Sequence, residues 1–225
     1  MMFSKRLLGI GLVTVVMMLT GAANAHATII FSTSQGSVQP DENILFNCAV
    51  GCVSGPALTV TGETNNTGNL VDFTSTENLV TPSSGQARVE SADGDGYASI
   101  LIDAHSSTAF FTEFESNVEI FAKTAGTATV IGCNQFAICT PFVLALAAGE
   151  NFFVLSVADS QLIDTVTITS DVAILSLKQT RVSMAQCDPR TQTCENITVP
   201  EPASLALLGV GLLAGGYRAR RRSKA

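Results

Sequence analysis

Apolar and polar residues alternate in short runs through most of the chain. Ala57-Leu58-Thr59-Val60-Thr61 alternates and leads into a turn region from Gly62 to Gly68. Leu70-Val71-Asp72-Phe73-Thr74, Ala87-Arg88-Val89-Glu90 and Tyr97 to Asp103 do the same. Further runs cover Ala109 to Phe114, Val118 to Lys123, Ala128 to Ile131, Phe142 to Ala147, Phe152 to Val157, Thr165 to Thr169 and Ala173 to Val182. A period of two places alternate side chains on opposite faces of a strand. Turn residues separate the runs, among them Ala92-Asp93-Gly94-Asp95-Gly96, Gly126, Ala148-Gly149-Glu150-Asn151 and Ala158-Asp159-Ser160. No run holds a helical period with caps. Many short strands at regular spacing predict an all-β body, an antiparallel β-sandwich or jelly-roll-like fold, over residues 26–182.

The two ends break this pattern. Lys5 and Arg6 precede an apolar run from Leu7 to Leu19, and Ala23-Asn24-Ala25 follows as a small-x-small cleavage site, with Ala25-His26-Ala27 as a second. Residues 1–25 therefore read as a signal peptide with a helical apolar segment. Near the other end, Val199-Pro200-Glu201-Pro202 is followed by the apolar, small-residue run Ala203 to Tyr217. Arg218, Arg220, Arg221, Arg222 and Lys224 come next. A helix over 203–217 spans about 22 Å, less than the ~30 Å hydrocarbon core, so it predicts a single, short transmembrane helix. The cations hold its far end on the cytoplasmic side as a stop-transfer signal, which leaves the body outside. Residues 183–198 read as a polar tether between body and membrane signal.

This order of motif, apolar stretch and arginine cluster over residues 199–222 resembles the PEP-CTERM sorting domain of Gram-negative bacteria. The resemblance implies an exosortase as processing partner, with Val199, Pro200, Glu201 and Pro202 as the recognised residues and cleavage near Pro200-Glu201-Pro202. It implies membrane attachment before processing and a cell-surface, outer-membrane-associated or extracellular destination, in a setting of exopolysaccharide and biofilm. Gly85 to Glu90, Gly149 to Phe153 and Leu177 to Val182 more loosely resemble β-rich domains of PEP-CTERM proteins. They imply a jelly-roll-like fold without a defined activity.

Charge is informative once the ends are set aside. The 225-residue chain has 12 Lys and Arg against 19 Asp and Glu. Its length fits one domain or two small ones. Seven cations lie in the end segments, so residues 26–198 carry five cations and 18 acids, a net charge of 5 − 18 = −13. An acidic exported body is soluble and avoids anionic surfaces; nucleic acid is excluded as a partner because phosphate neutralisation needs a basic face.

All six cysteines fall in the body: Cys48 and Cys52, Cys133 and Cys139, Cys187 and Cys194. An even count outside the cytoplasm predicts disulfides, and closeness in sequence favours these local pairs among the 15 possible pairings. Cys48 and Cys52 need a turn, since an extended strand holds them too far apart. No pair has Cys-x-x-Cys spacing, which argues against zinc.

Candidate chemistry is sparse. His105 adjoins Ser106 and Ser107, but there is no Gly-x-Ser-x-Gly elbow. Asp93 and Asp95 form a weak calcium candidate, with a hairpin turn as the better reading because calcium takes six to eight oxygens. The chain has no Trp, and its Phe residues mostly fall inside strands. Asn65-Asn66-Thr67 and Asn196-Ile197-Thr198 match glycosylation sequons as chance occurrences. No cofactor and no enzymatic activity are expected. The sequence reading is an exported, exosortase-sorted structural or adhesive surface protein, with a secreted carbohydrate- or calcium-binding module as the alternative.

Overall fold

A computed structural model describes residues 29–48, 50–82, 88–121, 124–158, 161–188 and 193–196. The signal peptide of residues 1–25 and the sorting segment of 199–225, with their expected helices, lie outside these residues. Among the described residues, no helix is long and apolar enough to cross a membrane.

The regular structure is all strand. In chain order the strands are β1 (Ile29–Ser32), β2 (Glu42–Leu45), β3 (Ala57–Thr64), β4 (Leu70–Val80), β5 (Arg88–Ser91), β6 (Tyr97–Ala104), β7 (Ala109–Ile120), β8 (Gly126–Asn134), β9 (Cys139–Leu146), β10 (Glu150–Val157), β11 (Ile163–Asp188) and β12 (Thr193–Asn196). Every pairing is antiparallel.

One strand organises the rest. β11 is 26 residues long and joins two arms of a single 12-stranded sheet. Its first half lies between β6 and β8, giving the arm β3-β4-β6-β11-β8-β9. Its second half pairs β7, with β10 and β1 beyond it. Register shifts between Thr169 and Ile174 and between Lys178 and Arg181 bend the strand from one arm to the other, and Gln179 has φ of 56° at the second of them. An extra residue at such a bulge kinks the strand and sharpens its twist.

The sequence pattern predicts two strands here, Thr165–Thr169 and Ala173–Val182. The intervening Ser170-Asp171-Val172 holds no Gly or Pro to break the chain. Asp171 instead accepts hydrogen bonds from the Thr127 amide and hydroxyl at 2.7 and 2.8 Å. A sandwich is expected to have two separate sheets; here the shared strand makes them one.

The arms nonetheless pack face to face. Phe31 of β1 stacks on Phe142 of β9 with ring centroids 4.9 Å apart. A Cβ on Gly132 of β8 would meet Ile29 Cδ1 at 3.1 Å, so glycine lets β1 approach this closely. The core between the arms includes fully buried Phe73, Ile100, Ile102, Phe111, Phe114, Phe153, Leu155 and Ile168. Buried Leu- and Phe-sized side chains each stabilise by roughly 1.5–3 kcal/mol relative to exposure, which makes this core the main source of stability.

The expected tether at 183–198 joins the fold over its first part. Residues 183–188 continue β11, pairing Ser183, Met184 and Ala185 with Glu113, Phe111 and Phe110. Val182 and Met184 keep the strand alternation and are buried, which the polar character of the following residues hides. β12 then folds back on β11. β1 and β2, short and split by turns, were likewise absent from the alternating runs.

Candidate functional site

All six cysteines pair locally. Cys48–Cys52, Cys133–Cys139 and Cys187–Cys194 are disulfides with no free cysteine among the described residues. Positive φ at Gly51, 90°, supplies the turn inside the first loop. The second closes the β8–β9 hairpin and the third the β11–β12 hairpin, both across directly opposed residues.

His105 directly follows β6 and donates from Nδ1 to Asp72 Oδ2 at 2.8 Å. Thr61 donates to the other Asp72 oxygen at 2.6 Å. Asp72 is register partner to Asp103, which in turn faces Thr165, so Thr61, Asp72, Asp103 and Thr165 form one row across β3, β4, β6 and β11. Burial, aided by the neighbouring Asp72 and Asp164 charges, pushes the Asp103 carboxyl up to about 6 against the weaker pull of His105. The Asp–His pair is the kind that orients an imidazole as a base. The hydroxyl nearest in sequence does not serve it: Ser106 Oγ pairs with Thr108 Oγ1 at 3.0 Å, and Ser107 lines a separate cavity.

Asp93 and Asp95 lie in the β5–β6 turn. Asp93 Oδ1 accepts from the Asp95 amide at 3.1 Å, and this bond, with help from Ser91, lowers the Asp93 pKa. Gly94 and Gly96 both take φ of 81°, the left-handed conformation that a glycine-containing hairpin turn uses. The carboxylate thus closes its own turn. Among the described residues no three His, Cys, Asp or Glu side chains are grouped to hold a metal ion.

The opposite arm carries charge in a different form. Glu119 of β7 meets Lys178 at 2.9 Å and Arg88 at 3.6 Å. Burial raises the Glu119 pKa, but the Ser176 hydroxyl and the two cations outweigh it and leave it lowered.

A cavity of about 390 Å³ lies beyond the end of β11. Ser107, Thr108 and Phe110 form one side, Gln135 and Phe136 of the β8–β9 tip another, and the Cys187–Cys194 bridge with Asp188 a third. The sequence analysis did not single out these residues. The available signal was Phe136, a phenylalanine placed between two cysteines and outside any strand pattern.

The residues read as sorting motif and stop-transfer signal, Val199 to Pro202 and Arg218 to Arg222, lie outside the described residues. Their sequence is the deciding observation, because residues 198–222 match the family of the PEP-CTERM protein-sorting motif. The chain carries a PEP-CTERM sorting motif. No curated protein and no solved structure matches the chain. The PEP-CTERM motif makes exosortase the processing partner and directs the exported chain toward the cell surface. Its matched span begins at residue 198, and β12 of the body ends at Asn196, so the folded body runs almost directly into the PEP-CTERM signal.

Proposed function

We propose that the mature body is a structural or adhesive component of the cell surface or extracellular matrix, in a biofilm or exopolysaccharide context, and not an enzyme. The single observation that carries this reading is the PEP-CTERM motif joined directly to an all-β body with three disulfides. Exosortase acts on the chain as substrate, with Val199, Pro200, Glu201 and Pro202 as its recognition residues. Before processing, the apolar run 203–217 holds the chain in the membrane and the arginines keep its orientation.

The body's features agree with a passive, durable role. Disulfides fit an oxidising exterior. The −13 charge of residues 26–198 keeps the body soluble. Asp72 accepts from both His105 and Thr61, and Ser106 pairs with Thr108, contacts that fit a structural role.

The test is the intact mass of the chain from cells with and without exosortase, combined with matrix retention. Loss of residues 1–25 and of the tail beyond Pro202 only when the enzyme is present, with the body in the matrix fraction and reduced cell cohesion in its deletion strain, is the expected result. A tail retained in both strains overturns the sorting part. A processed body whose deletion leaves cohesion and matrix unchanged overturns the adhesive part.

A further inference from the structure

We propose that the cavity beside the Cys187–Cys194 bridge binds a neutral saccharide unit, with Phe136 as its stacking platform. This deepens the adhesive reading above and rests on it for the source of the saccharide. The volume, about 390 Å³, falls within the roughly 300–1,000 Å³ of ligand sites.

Both walls are held rigid. The β8–β9 tip is closed by Cys133–Cys139, and inside it Asn134 Oδ1 accepts from the amides of Phe136 and Ile138 at 3.0 and 2.9 Å. Ala137 between them has φ of 59°, a left-handed conformation that L-residues other than glycine rarely adopt and that recurs at ligand clamps. This construction leaves Phe136 66% exposed, a large ring held in water by a fixed frame. On the facing wall the Cys187 amide donates to Thr108 O at 2.8 Å, which ties the bridged β11–β12 hairpin to the 106–108 turn. Pre-organised walls reduce the ordering cost of binding.

The lining selects the ligand class. Phe110 and Phe136 offer ring faces for the C–H face of a pyranose. Ser107, Thr108 and Gln135 offer hydroxyl and amide groups for its hydroxyl edge. The Leu162 amide donates to Gln135 Oε1 at 2.9 Å and so orients the side-chain amide. Among the described residues the lining has no Lys, Arg or His, and it belongs to a body of −13, which disfavours phosphates and uronates. A small cation would leave the three neutral polar groups idle; a polyol uses them.

Isothermal titration of the disulfide-intact full chain in detergent, with cellohexaose, laminarihexaose and maltohexaose in turn, tests this directly. The expected result is millimolar or tighter binding of at least one hexaose. Phe136→Ala and Gln135→Ala each weaken it tenfold or more at unchanged melting temperature, while Phe136→Tyr stays within threefold. Ring-proton shifts of Phe136 in the unsubstituted chain report the same contact without any variant. Absence of binding by all three sugars, equal affinity in Phe136→Ala, or displacement of bound sugar by choline overturns the proposal. None of these outcomes changes the processed mass, so failure here is separable from failure of the sorting reading.

Discussion

Gly55 occupies a place that no side chain fits. Its φ is +86°, and a Cβ there would lie 2.1 Å from Leu79 O of β4. Gly55→Ala is expected to cost about 3 kcal/mol from overlap and left-handed strain together. Gly94 shares the positive φ but has nothing within 4 Å, so Gly94→Ala costs only about 1 kcal/mol. Urea denaturation of the pair separates the two effects. Asp103 sets a pH dependence. Its carboxyl rises from 3.8 to about 6 on folding, so between those values the native state holds a proton that the unfolded state has released. Stability from this group is complete below the lower value and is lost as pH rises through the upper one. Asp103→Asn should therefore raise the melting temperature at pH about 7 and leave it nearly unchanged at pH about 4, flattening that part of the profile. At this scale the sequence offered Asp72, Asp103 and His105 as separate letters. Only the pairing of β4 with β6 sets Asp72 opposite Asp103 and within reach of His105.

At the scale of elements, β9 stands at the end of its arm and pairs only with β8 among the described strands. Its residues Cys139 to Leu146 carry no charge, and Val143 is 72% exposed. Such an edge invites strand addition by another molecule, and a proline is one of the devices that blunt it. Pro141→Val is expected to increase dimer and larger species in size-exclusion chromatography with little change in melting temperature. The β11–β12 hairpin depends on its bridge. Replacing Cys187 and Cys194 together by Ser should cost about 2 kcal/mol in the loop-entropy account and expose the segment to protease near residue 190. Strands with a full period of alternation, such as β3, β4, β6 and β10, were legible because each buries one face. β1, β2 and β12 were not: each has four residues, and their letters, IIFS, ENIL and TCEN, do not alternate. The local disulfides followed from spacing alone, since hairpins bring such near neighbours opposite one another.

For the molecule as a whole, address and architecture were readable at different ranges. The sorting signal is contiguous, so its order of motif, apolar run and arginines is visible in the letters themselves. The cavity is assembled from four separate chain segments, and no local pattern announces it. The joining of the arms was equally hidden, because a strand that changes neighbours halfway looks like two strands. This joint is expected to couple the two arms in unfolding. Ile168→Ala, in the fully buried centre of β11's first half, is expected to cost about 2–5 kcal/mol and to lower amide protection in both β4 and β10 together. Loss of protection confined to the β6–β8 arm would show the arms to be independent. The same joint also dictates timing during translocation. A chain threaded amino-terminus first presents β1 to β10 with the strand that unites them still missing. The two arms cannot join until residues 163–188 have crossed, and the sorting motif begins at residue 198, only ten residues behind. Completion of β11 and emergence of the sorting motif are thus separated by only ten residues of chain. β11 is a clasp that shuts only once nearly the whole body is across.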